Sequence, residues 1–316
     1  MAHIVITMDF EMRWGVHDIY GCNFNAYRQE VINLWTVIPK TLDFLAERNL
    51  EATWATVGAI GLENWGEYFD FSPASPLYRN KKLAIDPRYA DLDPYGELHF
   101  APDLIRKIIK RPGQELGSHS FSHIYFREPG VTENDFILDM LAVKKIFNDR
   151  FDVTPVSFVF PRNQSAFEDL VNQMGIHIWR ANELAWFFDR TTQSENSNLP
   201  RILRLAESLS PWVRRASLIE RGVTRSSLFI RFNLPKPLWK LHLARIKNEL
   251  SFILPNHVFH IWWHPENLGL NMGESLNRLK QLLDVVGEAC ATGNVESTNM
   301  AGLSKLPVYS KNEVGY

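Results

Sequence analysis

Short apolar runs alternate with longer amphipathic stretches along most of this chain, and that alternation constrains the fold more than any other feature. Strand-like runs cover 4–9, 52–57, 115–118, 157–160, 176–180, 228–232 and 258–263. Helical periodicity covers 26–48, 102–110, 133–149, 165–174, 238–252 and 274–291. Strand–helix alternation over this length predicts a parallel sheet or a β/α barrel. Several runs are apolar on both faces, as parallel strands buried on both sides are. The 316 residues, 45% of them hydrophobic, suffice for one large core or two ordinary domains. No linker rich in Gly, Ser or Pro divides them, so a single domain over 1–316 is expected.

Composition excludes several classes. A net charge of −2 argues against a general nucleic-acid binder. No run of 18 apolar residues is present, so no transmembrane helix is expected. Cys22 and Cys290 are too few for a disulfide framework and fit a reducing compartment. The start, Met1-Ala2-His3-Ile4-Val5-Ile6, reads as a first strand rather than a signal peptide, which gives a cytoplasmic expectation. Charge is uneven: residues 201–250 hold eleven Lys or Arg against three acids. This excess reads as solvated helix faces or as a surface for an anionic substrate or for membrane headgroups.

One segment, 59–100, breaks the rhythm. It carries four prolines and eight aromatics (Trp65, Tyr68, Phe69, Phe71, Tyr78, Tyr89, Tyr95 and Phe100). So many rings argue against disorder. The segment is expected to fold either over the barrel mouth, where rings could stack on a sugar, or into a second apolar cluster.

The residues that carry chemistry fall at the C-terminal ends of the strand-like runs, where barrel active sites are built. His119 and His123 lie four apart in Gly117-Ser118-His119-Ser120-Phe121-Ser122-His123. On a helix both rings would share a face and could reach one metal ion. Ser120 stands where a zincin has its catalytic Glu, so the base must come from elsewhere. Asp9 and Glu11 end the first run; if the strand extends through Glu11, both face one way. One could ligate metal while the other takes a proton. Arg162 follows the fourth run and could hold Asp9 through two parallel N–H···O bonds. His260, Trp262 and His264 share a strand face; His264, nearest the mouth, is the candidate general acid, and His260 reads as a hydrogen-bonded core histidine. Glu266 could orient His264.

Together these motifs resemble the polysaccharide deacetylases, the NodB-homology group of carbohydrate esterase family 4, from Ile4 to about Leu303. Thr7-Met8-Asp9-Phe10-Glu11 is similar to the family's first acidic motif. Residues 52–58 resemble its second strand, and 115–123 its His-Ser/Thr-x-x-His metal motif. Residues 158–164 occupy the place of the arginine motif, and His264 that of the catalytic histidine. The acid pair is spaced where the usual form is adjacent, and Phe-Pro-Arg-Asn-Gln stands for the common Arg-x-Pro-Tyr-Gly.

The resemblance implies a distorted (β/α)7 barrel with the 59–100 insertion. It implies a divalent metal, zinc above cobalt, nickel or manganese, held by Glu11, His119 and His123. Asp9 would be the base, aimed by Arg162, and His264 the acid. Trp14, Trp54, Phe121, Tyr125, Asn163 and Trp263 are expected to bind substrate. The implied reaction removes an acetyl or formyl group from an amino sugar, on a phosphate-bearing precursor linked to a nucleotide or a lipid. Peripheral contact with the inner membrane is compatible with this, and the oligomeric state stays open. An allantoinase-like amidohydrolase and a non-catalytic carbohydrate-binding protein are the alternatives.

Overall fold

The computed structural model describes residues 1–188 and 198–307. Its strands are β1 (Ala2–Phe10), β2 (Ala52–Thr56), β3 (Gln114–Ser118), β4 (Ser157–Val159), β5 (Ile178–Ala181), β6 (Ser217–Leu218), β7 (Val223–Arg225), β8 (Leu228–Phe229), β9 (His257–Trp263) and β10 (Val295–Thr298). The longer helices are α1 (Leu34–Ala46), α2 (Pro102–Ile109), α3 (Glu133–Phe151), α4 (Glu168–Gln173), α5 (Asn198–Leu209), α6 (Lys236–Phe252) and α7 (Met272–Ala291).

The strands run in the order β6-β9-β1-β2-β3-β4-β5-β7, with β10 on β1 and β8 on β9. Every pairing between named strands is parallel except β6 with β9. The ends nearly meet: Ser226 N–H donates to Ala181 O, and Ser227 N–H donates to His260 O. The result is a nearly closed, distorted β/α barrel, as the alternation predicts.

Side-chain alternation decides what lies on each face of this sheet. Ile4, Ile6, Met8 and Phe10 of β1 join the large core beneath the helices. Val5, between them, points the other way and packs with Ala55, Val159, Ile178 and Val258 inside the barrel. Further along the same inward face come Thr7 and Asp9, both buried. The interior is thus apolar near the N-terminal ends of the strands and polar near the C-terminal ends.

Local structure departs from the sequence reading in defined places. The 26–48 pattern divides into Arg28–Ile32 and α1. The strands β6, β7 and β10 carry too little apolar alternation to be seen in the sequence. The metal-motif histidines are not on a helix. They lie on a loop after β3 in which Ser120 (φ 68°) and His123 (φ 59°) are left-handed. Non-glycine residues take that conformation at a cost, so other contacts must hold it.

Asp139 of α3, fully buried, supplies them. Its carboxylate accepts from Ser120 Oγ at 2.9 Å and from Phe121 N–H at 2.9 and 3.0 Å. Burial pushes its carboxyl up to about 7.

The aromatic segment forms no separate cluster: most of its rings join the main core, and Tyr78 joins the core beside β4 and β5. Trp65, Tyr68, Tyr78 and Tyr89 are buried, while Phe69 and Tyr95 are exposed. Trp14 donates its indole N–H to His99 O and packs on Trp65 and Tyr68. Tyr78 Oη accepts from Tyr125 N–H. These contacts brace the loops after β1 and β3 from the side. No residue of 59–100 lines the central cleft.

Candidate active site

A cleft of about 420 Å³ opens at the C-terminal ends of the strands. Its lining includes Asp9, Glu11, His123, Arg162, Asn163, Trp262 and His264. A larger cavity of about 640 Å³ lies at the other end, beside Met1, Pro255 and Asn294. Its lining offers Lys247 and Glu288 as charged groups and no cluster of acids and imidazoles, so the chemistry belongs to the smaller cleft.

The donor set is compact. Glu11 Oε1 lies 2.9 Å from His119 Nε2 and 3.2 Å from His123 Nε2. Ligand atoms of the three residues all fall within 4.8 Å of one another. His119 Nδ1 donates to Val159 O at 2.7 Å, which orients the ring so that Nε2 faces the Glu11 carboxylate. Burial lowers His123 to about 4, so its ring is neutral near pH 7. Burial by itself would raise the Glu11 carboxyl, but His264, His123 and His119 outweigh it and hold the group well below the usual range. Two imidazoles and one carboxylate suit a divalent ion with open positions.

The placing of Glu11 is built into the backbone around it. β1 ends at Phe10, and Glu11 begins a 3-10 turn, Met12–Val16. The expected extension of the strand through Glu11 therefore does not occur. Instead Glu266 Oε1 accepts from the N–H groups of Glu11 (3.0 Å) and Met12 (2.6 Å), fixing the turn. Glu266 was expected to orient His264; its hydrogen bonds go to this turn. Burial and the Glu11 carboxylate raise its carboxyl to about 7. Gly15 leaves the space that the Glu11 side chain uses: a Cβ there would fall 1.8 Å from Glu11 Oε2.

Asp9 is held differently from the expectation. Its oxygens accept from Arg180 Nη1 at 2.8 Å and Nη2 at 2.6 Å, a bidentate pair with Arg180 fully buried. Arg180 also donates to Thr7 Oγ1 and Asn163 Oδ1, and its guanidinium lies 4.3 Å from the Trp262 ring. Arg162, the expected partner of Asp9, pairs with Asp18 and stacks on Tyr125 at 4.2 Å. The reason is geometric: Arg162 (φ 54°) sits on a left-handed turn after β4, which turns it to the rim. A sequence signal for Arg180 did exist. It stands inside the apolar strand Ile178-Trp179-Arg180-Ala181, and a charge there must be paired.

His264 follows β9 and lines the cleft. Its Nε2 lies 3.5 Å from Glu11 Oε1 and 4.0 Å from Asp9 Oδ2. Burial would lower it, but the carboxylates of Glu11, Asp9 and Glu266 raise it to about 9. His260, four residues earlier on the same face, bonds Thr7 Oγ1 and Thr224 Oγ1 and is a core histidine, as expected.

Five of the six expected substrate contacts lie elsewhere. Trp14, Trp54, Phe121 and Trp263 have no exposed surface and do not line the cleft. Trp54 donates to Gln114 Oε1, Phe121 stacks on Tyr68, and Trp263 packs on Phe232. Tyr125 is buried too; its hydroxyl donates to Asp18 and its ring carries Arg162. Asn163 does line the cleft. The tryptophan that reaches it is Trp262, which the two-residue alternation with His264 places on the inner face. Part of the basic excess also arrives here: Arg201 and Arg204 of α5 complete the lining. The rest is partly consumed inside, since Arg215 and Arg245 meet Glu207.

Residues 33–179 match the polysaccharide deacetylase family. That span contains His119, His123 and Arg162; Asp9 and Glu11 precede it, and Arg180 and His264 follow it. No curated protein matches the chain. Among solved structures, a candidate polysaccharide deacetylase of Mycobacterium smegmatis superposes with a TM-score of 0.54 at 13% identity, covering 98% of this chain and 93% of that one. A family 4 carbohydrate esterase from Streptomyces lividans gives 0.44 at 11% identity, over 98% and 97%. A family 4 pseudoenzyme from Bacillus anthracis gives 0.46 at 10%, over 96% and 65%.

Proposed function

For a chain that carries a polysaccharide deacetylase domain over residues 33–179, we propose hydrolysis of an N-acetyl or N-formyl group from an amino sugar. The observation that carries this reading is the meeting of three devices in one cleft. A clamped carboxylate, Asp9, and a histidine raised to about 9, His264, both border the donor set of Glu11, His119 and His123.

A divalent ion in that donor set, zinc in our reading, supplies Lewis-acid polarisation of the acyl carbonyl and a more acidic water. The chain's own side chains do the rest. Asp9, aimed by Arg180, takes a proton from the attacking water as the water oxygen bonds to the carbonyl carbon. The carbonyl π pair moves to oxygen, giving a tetrahedral anion. Its collapse breaks the C–N bond, and His264 gives its Nε2 proton to the leaving amine. The products are a free amine and acetate or formate, and the proton on Asp9 leaves with solvent. Asn163, held by Arg180, and Trp262 form the wall against which the sugar is placed.

Arg162, Arg201 and Arg204 on the rim support a phosphate-bearing substrate, as a nucleotide- or lipid-linked sugar would be. The deciding experiment offers N-acetyl and N-formyl sugar nucleotides and lipid-linked sugars to the metal-loaded protein and identifies the released acid by mass. Release from one of these, lost by about 10²–10⁴-fold in Asp9→Asn with metal content unchanged, is expected. Undiminished turnover by Asp9→Asn would remove its role as base. His119→Ala should lose the bound metal.

A further inference from the structure

The helix α5 is amphipathic in the sense opposite to that expected of a helix in water. Its buried positions include Glu207 and Ser208, whereas Leu199, Ile202 and Leu205 face solvent at 56, 60 and 36% exposure. Residues three apart share one helix face, so these three form a stripe. Trp186, 64% exposed, lies on the turn that packs against α5, and Leu184, two residues before it, is 81% exposed. Trp212, just beyond the helix, is 84% exposed.

Among the described residues 198–219 the exposed charges have one sign. Arg201 and Arg214 are exposed, while the one acid between 198 and 219, Glu207, is buried against Arg215 and Arg245. Arg201 and Arg204, on the adjoining edge of the same helix, line the cleft. One helix therefore joins the apolar stripe to the mouth of the site.

We infer that α5 and its neighbouring rim dock on the surface of an anionic lipid bilayer, with the cleft opening beside it. The apolar side chains enter the headgroup boundary while the arginines meet lipid phosphates, as in helices that lie in the membrane plane. Exposed apolar patches of this kind mark interaction surfaces. A second copy of the chain is the poorer occupant, because a two-fold contact would set this one-signed patch against itself. Among the described residues no helix is long and apolar enough to cross a membrane, so the contact is peripheral. The docking stands without the deacylation reading. Taken with that reading, it makes the substrate a membrane-held amphiphile rather than a soluble sugar nucleotide.

The test mixes the full chain with sedimenting vesicles of phosphatidylcholine, with and without about one-third phosphatidylglycerol. Binding to the anionic vesicles, weakened by salt, is expected. It should fall roughly ten-fold or more in Leu199→Ser/Ile202→Ser/Leu205→Ser, with hydrolysis of a water-soluble N-acyl amino sugar unchanged. Trp186→Ser serves the same comparison if the triple variant misfolds. The inference is overturned by no binding to either vesicle, by equal binding of the variants, or by a wild-type dimer in light scattering that the triple variant converts to monomer. Vesicle binding without hydrolysis of any N-acyl sugar would uphold the docking and sink the deacylation.

Discussion

Two aspartate–arginine pairs border the cleft, and they rest on different supports. Asp9 and Arg180 project from β1 and β5 into the barrel, where Arg180 makes five hydrogen bonds to Asp9, Thr7 and Asn163. Asp18 and Arg162 lie on the short helix and turn at the rim, where Tyr125 supplies a ring and a hydroxyl. The first pair is dry and borne on strands, so it can aim a base within tenths of an ångström. The second keeps part of its surface in solvent, where charge interactions are screened. Residue type alone would have made them equivalent; support and hydration separate them.

The sharpest way to break this comparison is Arg180→Gln. It leaves Asp9 buried without its cation, which should cost about 3–5 kcal/mol of stability and, through the lost base, about 10²–10⁴-fold in kcat/KM. The double variant Arg180→Gln/Asp9→Asn should regain much of the thermal stability and none of the rate. Recovery of both would mean that the pair is structural only.

Gly15→Ala comes next. Its Cβ would displace the Glu11 carboxylate, so metal affinity by calorimetric titration should drop roughly 10–100-fold. Unaltered affinity would take Glu11 out of the donor set.

The pH profile probes His264. A general acid must hold its proton, and this group is raised to about 9. Activity should therefore persist through neutrality and fall as pH rises through about 9, approaching ten-fold per unit above it. A His264→Gln variant should be slow and lack that limb; the same limb in the variant would assign it to another group.

Arg162→Ala should have the smallest effect, roughly three- to ten-fold, mostly in KM for a phosphate-bearing substrate. An effect larger than that of Arg180→Gln would invert the ranking of the two pairs.

Much of the frame was legible in the sequence because it depends on local periodicity. β1, β2, β3 and β9 fall where the short apolar runs stand, and α2, α3, α6 and α7 where the helical pattern does. The donor set of Glu11, His119 and His123 was legible from strand-end position and family resemblance. The supports around it were not. Asp139 reaches the His119–His123 loop from the middle of α3, and Glu266 reaches the Glu11 turn across more than 250 residues. Neither has a local signature, because both act on backbone N–H groups whose need arises only once the loops are folded. Trp263 was taken for Trp262 by one position, and on a strand one position reverses the face.

The sequence by itself determined that strands and helices alternate, that acids and imidazoles gather at the strand ends, and that 201–250 is basic. Tertiary structure decided which arginine clamps Asp9, which tryptophan reaches the cleft, and that α5 turns Leu199, Ile202 and Leu205 to solvent. The physical reason is that periodicity fixes a side chain's direction only relative to its own element. Barrel closure, the left-handed turns at Ser120, His123 and Arg162, and the packing of α5 against α6 set those directions relative to one another.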